Sequence, residues 1–131
     1  VEGGIVVGGI RAELGYGFLE AQGGDGDRLL GRPAHSGRLF VETPLGEHGP
    51  RLGITGVYTG RTPVQRTETG VIERSGYLRV DARASQSLPA NLELAIGARN
   101  LFDASPQHWP GFTGRHLYIG VGWMTASLPA N

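Results

Sequence analysis

The segment Tyr77-Leu-Arg-Val-Asp-Ala-Arg-Ala-Ser-Gln-Ser87 and, one short turn later, Leu92-Glu-Leu-Ala-Ile-Gly-Ala-Arg-Asn-Leu-Phe102 set the fold class of this sequence. Side chains on a β-strand alternate between its two faces. Leu78, Val80, Ala82 and Ala84 therefore share one face, opposite Arg79, Asp81, Arg83 and Ser85. In the second segment Leu92, Leu94, Ile96 and Ala98 stand opposite Glu93, Ala95, Gly97 and Arg99. One face is apolar and the other carries charge.

The same period continues in both directions. Arg115–Met124 sets Leu117, Ile119, Val121 and Trp123 against His116, Tyr118, Gly120 and Gly122. Near the start, Ile10, Ala12, Leu14, Tyr16 and Phe18 alternate with Arg11, Glu13, Gly15 and Gly17. Arg51–Gly60 puts Leu52, Ile54 and Tyr58 on one face, and Arg38–Thr43 does so with Leu39 and Val41. The reading is all-β, with six antiparallel strands over residues 1–124 and a C-terminal tail over residues 125–131. Several strands reach about ten residues, the length a tilted strand needs to span a bilayer.

Composition limits the alternatives. The 23 glycines and 8 prolines among 131 residues exceed ordinary usage and argue against a helical fold. Twelve basic residues balance twelve acidic ones, so the charge gives no ground for nucleic acid as a partner. No stretch approaches the ~20 apolar residues of a transmembrane helix, which does not exclude barrel strands because they alternate. The sequence contains no cysteine, hence no disulfide framework and no thiolate chemistry. It begins at Val1, and the expectation is that a longer protein or a removed segment precedes it.

A water-soluble antiparallel sheet also alternates, with one face packed and one solvated. The connections separate the two readings. Gly23–Ser36 is long, Pro44–Pro50 short, Thr62–Gly76 long, Pro89–Asn91 very short and Asp103–Gly114 long. Outer-membrane barrels pair short periplasmic turns with longer extracellular loops, which predicts six transmembrane strands with both chain ends periplasmic. Tyr16, Phe18, Tyr58 and Phe102 fall at loop ends and Trp123 at a turn end, as interfacial aromatic girdles require. Tyr77 is at a loop end too, but its parity points it to the charged face. Such strands are part of a larger outer-membrane β-barrel, because every backbone group in lipid must be paired.

Three stretches together resemble the last three barrel strands of TonB-dependent receptors: Tyr77-Leu-Arg-Val-Asp-Ala-Arg-Ala84, Leu92-Glu-Leu-Ala-Ile-Gly-Ala-Arg-Asn-Leu-Phe-Asp103 and Pro110-Gly-Phe-Thr-Gly-Arg-His-Leu-Tyr-Ile-Gly120. Leu30-Gly-Arg-Pro-Ala-His-Ser-Gly-Arg-Leu39 and Tyr58-Thr-Gly-Arg61 are similar to the family's preceding strands. The resemblance implies a bacterial outer-membrane receptor that imports a scarce ligand of the siderophore, haem or cobalamin type. It also implies partners: outer-membrane lipid, the remaining strands and plug on another chain or missing segment, and TonB only indirectly, through the missing plug and the receptor's own TonB box, which this chain does not hold. The alternative is a structural barrel segment or scaffold without transport. The tail departs from the family's aromatic terminus, since Ser127-Leu-Pro-Ala-Asn131 repeats Ser87-Leu-Pro-Ala-Asn91. It reads either as a tail of turn-like composition or as a turn toward another strand.

Candidate site residues are few. His108, Trp109 and Phe112 in the last long connection are the ligand-binding candidates. Arg79, Asp81, Arg83, Glu93 and Arg99 fall on the lumen face of adjacent strands and form a hydrated ion-pair lattice. His35, His48, His108 and His116 show no metal-ligand spacing, so no metal and no cofactor are expected. Gly3–Gly9 precedes no phosphate-receiving helix, and its glycines are read as letting a strand bend or bulge. No Ser, His and Asp are placed as a triad, and no catalytic residue or enzymatic activity is expected.

Overall fold

The computed structural model describes residues 1–24, 28–104 and 114–123. The His108, Trp109 and Phe112 candidates and the tail at 125–131 lie outside the described residues. The described chain is all-β and antiparallel. Its strands are β1 (Glu2–Val7), β2 (Ile10–Phe18), β3 (His35–Pro44), β4 (Arg51–Thr59), β5 (Thr62–Thr67), β6 (Gly70–Arg74), β7 (Tyr77–Leu88), β8 (Leu92–Arg99) and β9 (His116–Trp123). Seven of them form one sheet in the order β1-β2-β3-β4-β7-β8-β9, and β5-β6 is a separate hairpin. The large sheet is an up-and-down meander in which each strand pairs with its neighbour in sequence, apart from the inserted hairpin.

The register puts every alternating set on one face. Directly opposed residues in a ladder share a face. Ile5 faces Ala12, Ala12 faces Val41, Val41 faces Ile54 and Ile54 faces Ala82. The row continues from Ala82 to Ala98 and from Ala98 to Leu117. A single-residue slip would move one strand's apolar residues to the charged side.

This face is uncovered. Ile54 is 54% exposed, Leu78 53% and Ile96 53%, whereas on the opposite face Thr55, Asp81 and Arg79 are only half-exposed. Within the sheet the buried apolar residues are Ala95 and Ala98. Large apolar groups more exposed than their polar neighbours invert the arrangement of a protein that packs its own core.

The strand count corrects the expectation of six. Glu2–Val7, read as a place where a strand bends, is itself a strand, joined to β2 by a two-residue turn at Gly8 and Gly9. Their φ values of 57° and 82° suit the tight hairpin that Gly-Gly favours. The extra strand also moves the N-terminus. Val1 bonds to Tyr16 at the end of the long connections, while β9 finishes at the end of the short turns. The expectation that both ends share one side is corrected for the described residues: Val1 and the end of β9 lie at opposite ends of the sheet. Thr62–Gly76, read as a loop, contains the β5-β6 hairpin.

Gly97 marks a close approach between β8 and β9. It is paired with Tyr118, and a Cβ there would lie 2.5 Å from the tyrosine ring and 2.7 Å from the Ala82 carbonyl oxygen. The ring covers the missing side chain, a known way to stabilise a glycine in a strand. Around Gly120 on β9 a Cβ meets nothing within 4 Å. Gly97→Ala is expected to lower stability by about 1–3 kcal/mol through overpacking, and Gly120→Ala to leave it unchanged or higher, as read by equilibrium denaturation.

Candidate functional site

The charged face of the sheet is built by the odd-numbered positions of β2, β4, β7 and β8 and the even-numbered positions of β3. Four of its ion pairs lie along or across adjacent strands. Arg83 pairs with Glu93, and Arg11 with Glu13. Arg51 reaches Glu42 at 3.2 Å and Arg79 reaches Asp81 at 3.3 Å. Two arginines lie over aromatic rings, Arg11 at 6.0 Å from the Phe40 centroid and Arg99 at 5.8 Å from that of Tyr118. Phe40, Glu42, Arg51, Thr55, Asp81 and Arg99 line a hollow of about 270 Å³ on this face.

The five charged residues singled out from the sequence, Arg79, Asp81, Arg83, Glu93 and Arg99, all occupy this face. The register joins them through Val57, Thr55, Gly97, Ser87 and His116 respectively. The sequence reading did not single out Phe40 and Glu42, although their alternation with Leu39 and Val41 on β3 already placed them with the charges. Nor did it single out Arg51, or Arg11 and Glu13, which it had set opposite the apolar residues of β2.

Asp81 does more than pair with Arg79. Its Oδ1 accepts the backbone N–H of Asn100 at 2.9 Å. Asn100 is buried, and its side chain in turn holds Ala104: Oδ1 accepts the Ala104 N–H at 2.9 Å and Nδ2 donates to the Ala104 carbonyl at 3.0 Å. The Leu101 N–H donates to Val80 O at 2.7 Å, and the Asp103 carboxylate accepts the Arg115 N–H at 2.9 Å. Asn100-Leu-Phe-Asp103 is thus a fastened turn, with Asn100 and Asp103 at φ values of 52° and 53° that Asn and Asp tolerate. It clamps both roots of the connection that carries residues 105–113.

The other long connections are also fastened. The β5-β6 hairpin docks on the β2-β3 connection through Arg28 and Glu73 at 2.7 Å and through the Gly31 N–H to the Pro63 carbonyl at 2.7 Å. Thr62 and Pro63 at its base are the most buried side chains. At the same end of the sheet, Tyr16 Oη and His35 Nδ1 share a hydrogen bond of 2.6 Å, and Phe18 lies 5.1 Å from the His35 ring. Tyr16 and Tyr58 flank Gly37 in one cross-strand row on the apolar face. Phe102 falls in the turn after β8 rather than on a strand, and Trp123 closes β9 at the other end. Tyr77 pairs with Thr59 on the charged face, as its parity requires.

Among the described residues no three His, Cys, Asp or Glu side chains converge to hold a metal ion. The chain matches no protein-family model, no curated protein and no solved structure. Asp81→Ala is expected to lower stability by about 1–3 kcal/mol, because it removes the carboxylate that both the Arg79 guanidinium and the Asn100 N–H reach. Glu13→Ala, which removes an exposed pair, is expected to change it by less than about 1 kcal/mol. Denaturation midpoints of the two variants make the comparison.

Proposed function

We propose that this chain is a wall segment of an outer-membrane β-barrel, its apolar face toward lipid and its charged face toward the lumen. The observation that carries this reading is the uncovered apolar face, continuous over all seven strands of the sheet. A face of that extent has to meet lipid or another apolar surface. Strands of up to twelve residues, alternately short and long connections, and aromatics at both ends of the apolar face support lipid as the covering. The long connections, two of them fastened to each other through Arg28–Glu73 and Gly31–Pro63, are the extracellular side.

Within that class, the order of Tyr77–Ala84, the Asn100-Leu-Phe-Asp103 turn and Arg115–Gly120 favours a TonB-dependent receptor. The function is then energy-coupled import of a scarce ligand, without enzymatic activity, in the bacterial outer membrane. The plug, the TonB contact and the rest of the barrel are supplied by another chain or by a missing segment. The lattice of Arg79, Asp81, Arg83, Glu93 and Arg99 is the lining against which plug or ligand moves. His108, Trp109 and Phe112 are the residues of this chain proposed to contact that ligand.

Neighbouring residues on β4 test the membrane placement. Ile54 lies on the apolar face and Thr55 on the charged one. Ile54→Arg is expected to block incorporation into lipid vesicles, since an arginine at the bilayer midplane costs about 2–4 kcal/mol. Thr55→Arg is expected to incorporate like the parent chain. Equal behaviour of the two variants, or a parent chain that stays folded and monomeric in plain buffer, would refute the proposal.

A further inference from the structure

On the charged face, four arginines each have a carboxylate: Arg11 with Glu13, Arg51 with Glu42, Arg79 with Asp81 and Arg83 with Glu93. Glu2, Arg38 and Arg99 share that face and form no ion pair among the described residues. Arg99 lies over the Tyr118 ring. The other two, of opposite charge, line one hollow.

That hollow measures about 470 Å³ and lies over β1, β2 and β3. Glu2, Gly15 and Arg38 stand in one cross-strand row, and Gly4, Glu13 and Phe40 in the next. Gly15 puts no side chain between Glu2 and Arg38, and a Cβ there would meet Glu2 Cγ at 3.6 Å. The half-buried Phe40 forms a wall, with the Arg11 guanidinium 6.0 Å from its centroid. Two strand spacings hold the Cα atoms of Glu2 and Arg38 about 10 Å apart. A lone cation in this space would leave Arg38 unmatched, and a lone anion would leave Glu2 unmatched. A molecule that carries both charges matches both.

We propose that this hollow binds a small zwitterion of α-amino-acid chemistry with an apolar side chain. Its ammonium donates to the Glu2 carboxylate, and its carboxylate accepts the paired N–H groups of the Arg38 guanidinium. Its side chain lies against Phe40. An ammonium and a carboxylate on one carbon, with a charge-assisted hydrogen bond of about 2.8 Å at each end, suit a separation of two strands. A few charged groups around one aromatic wall, in a volume of this order, are the make-up of small-molecule sites. The site follows from the sheet and its side chains, whereas its place in a lumen rests on the barrel-wall reading. In that setting it opens nearer the long connections and names a solute class: amino acids, or larger ligands that present a free α-amino-carboxylate.

The probe is L-phenylalanine, titrated into the chain in micelles of a non-ionic detergent and read from the chemical shifts of the Gly15 and Arg38 amides. Saturable binding is expected. Phenethylamine, which lacks the carboxylate, and 3-phenylpropanoate, which lacks the ammonium, are each expected to bind about tenfold or more weakly, as loss of one charge-assisted contact implies. Glu2→Gln and Arg38→Gln are expected to weaken L-phenylalanine to the same extent. Arg61→Gln, at an exposed arginine outside the hollow, is expected to leave binding unchanged. Hydrogen-exchange protection of the β2 and β3 amides separates lost binding from lost fold. If a Gln variant loses that protection, the three probes on the parent chain decide alone. No saturable shift with the parent chain, equal affinity for a probe lacking one charge, or unchanged affinity in folded Gln variants would each overturn the proposal. A chain that folds in plain buffer removes the barrel-wall reading, while the same titration there still decides the site.

Discussion

An apolar surface that water cannot wet favourably has to be covered, and among the described residues the sheet has no second layer to cover it. Leu14, Leu39, Leu52, Ile54, Leu78, Ile96 and Ile119 stand on one face of a single-layer sheet, with no helix or second sheet among the described residues placed against them. A globular domain resolves such a face by packing two layers around a shared core. Among the described residues no such layer is present, and the apolar face stays open.

The charged face shows how a sheet without a buried core keeps its register. Exposed ion pairs contribute little each, so Arg83 with Glu93 or Arg51 with Glu42 do not by themselves stabilise the sheet strongly. Their value is positional. A slipped strand would separate these partners at the same time as it turned leucines toward the arginines, so both faces penalise the same error. Tyr118 seated over Gly97 and the Asp81 contact to Asn100 add fixed points at the C-terminal end of β8. The Asn100–Asp103 turn then transmits that order from the strands to the connection beyond.

Much of this was legible in the sequence because the strand period is two and needs no tertiary information. The faces of β2, β4, β7, β8 and β9, and the parity of Tyr77, follow from counting alone. The same counting assigned Arg79, Asp81, Arg83, Glu93 and Arg99 to one side. Counting failed where the alternation is faint. In Glu2–Val7 glycines and valines blur the two faces, so the strand became visible only through its ladder with β2. Within Thr62–Gly76 the hairpin is short and polar, and its stability comes from docking on the β2-β3 connection, a contact between residues far apart in sequence.

The sequence by itself determined the fold class, the two faces and the alternation of short and long connections, because each depends on neighbours a few residues away. Tertiary structure alone decided how many strands the sheet holds and therefore which way its edges run. One added strand at the N-terminus turns an even count into an odd one. It moves Val1 to the far end of the sheet and makes β1 and β9 parallel. That property belongs to the whole ladder of hydrogen bonds, and no local pattern of residues contains it.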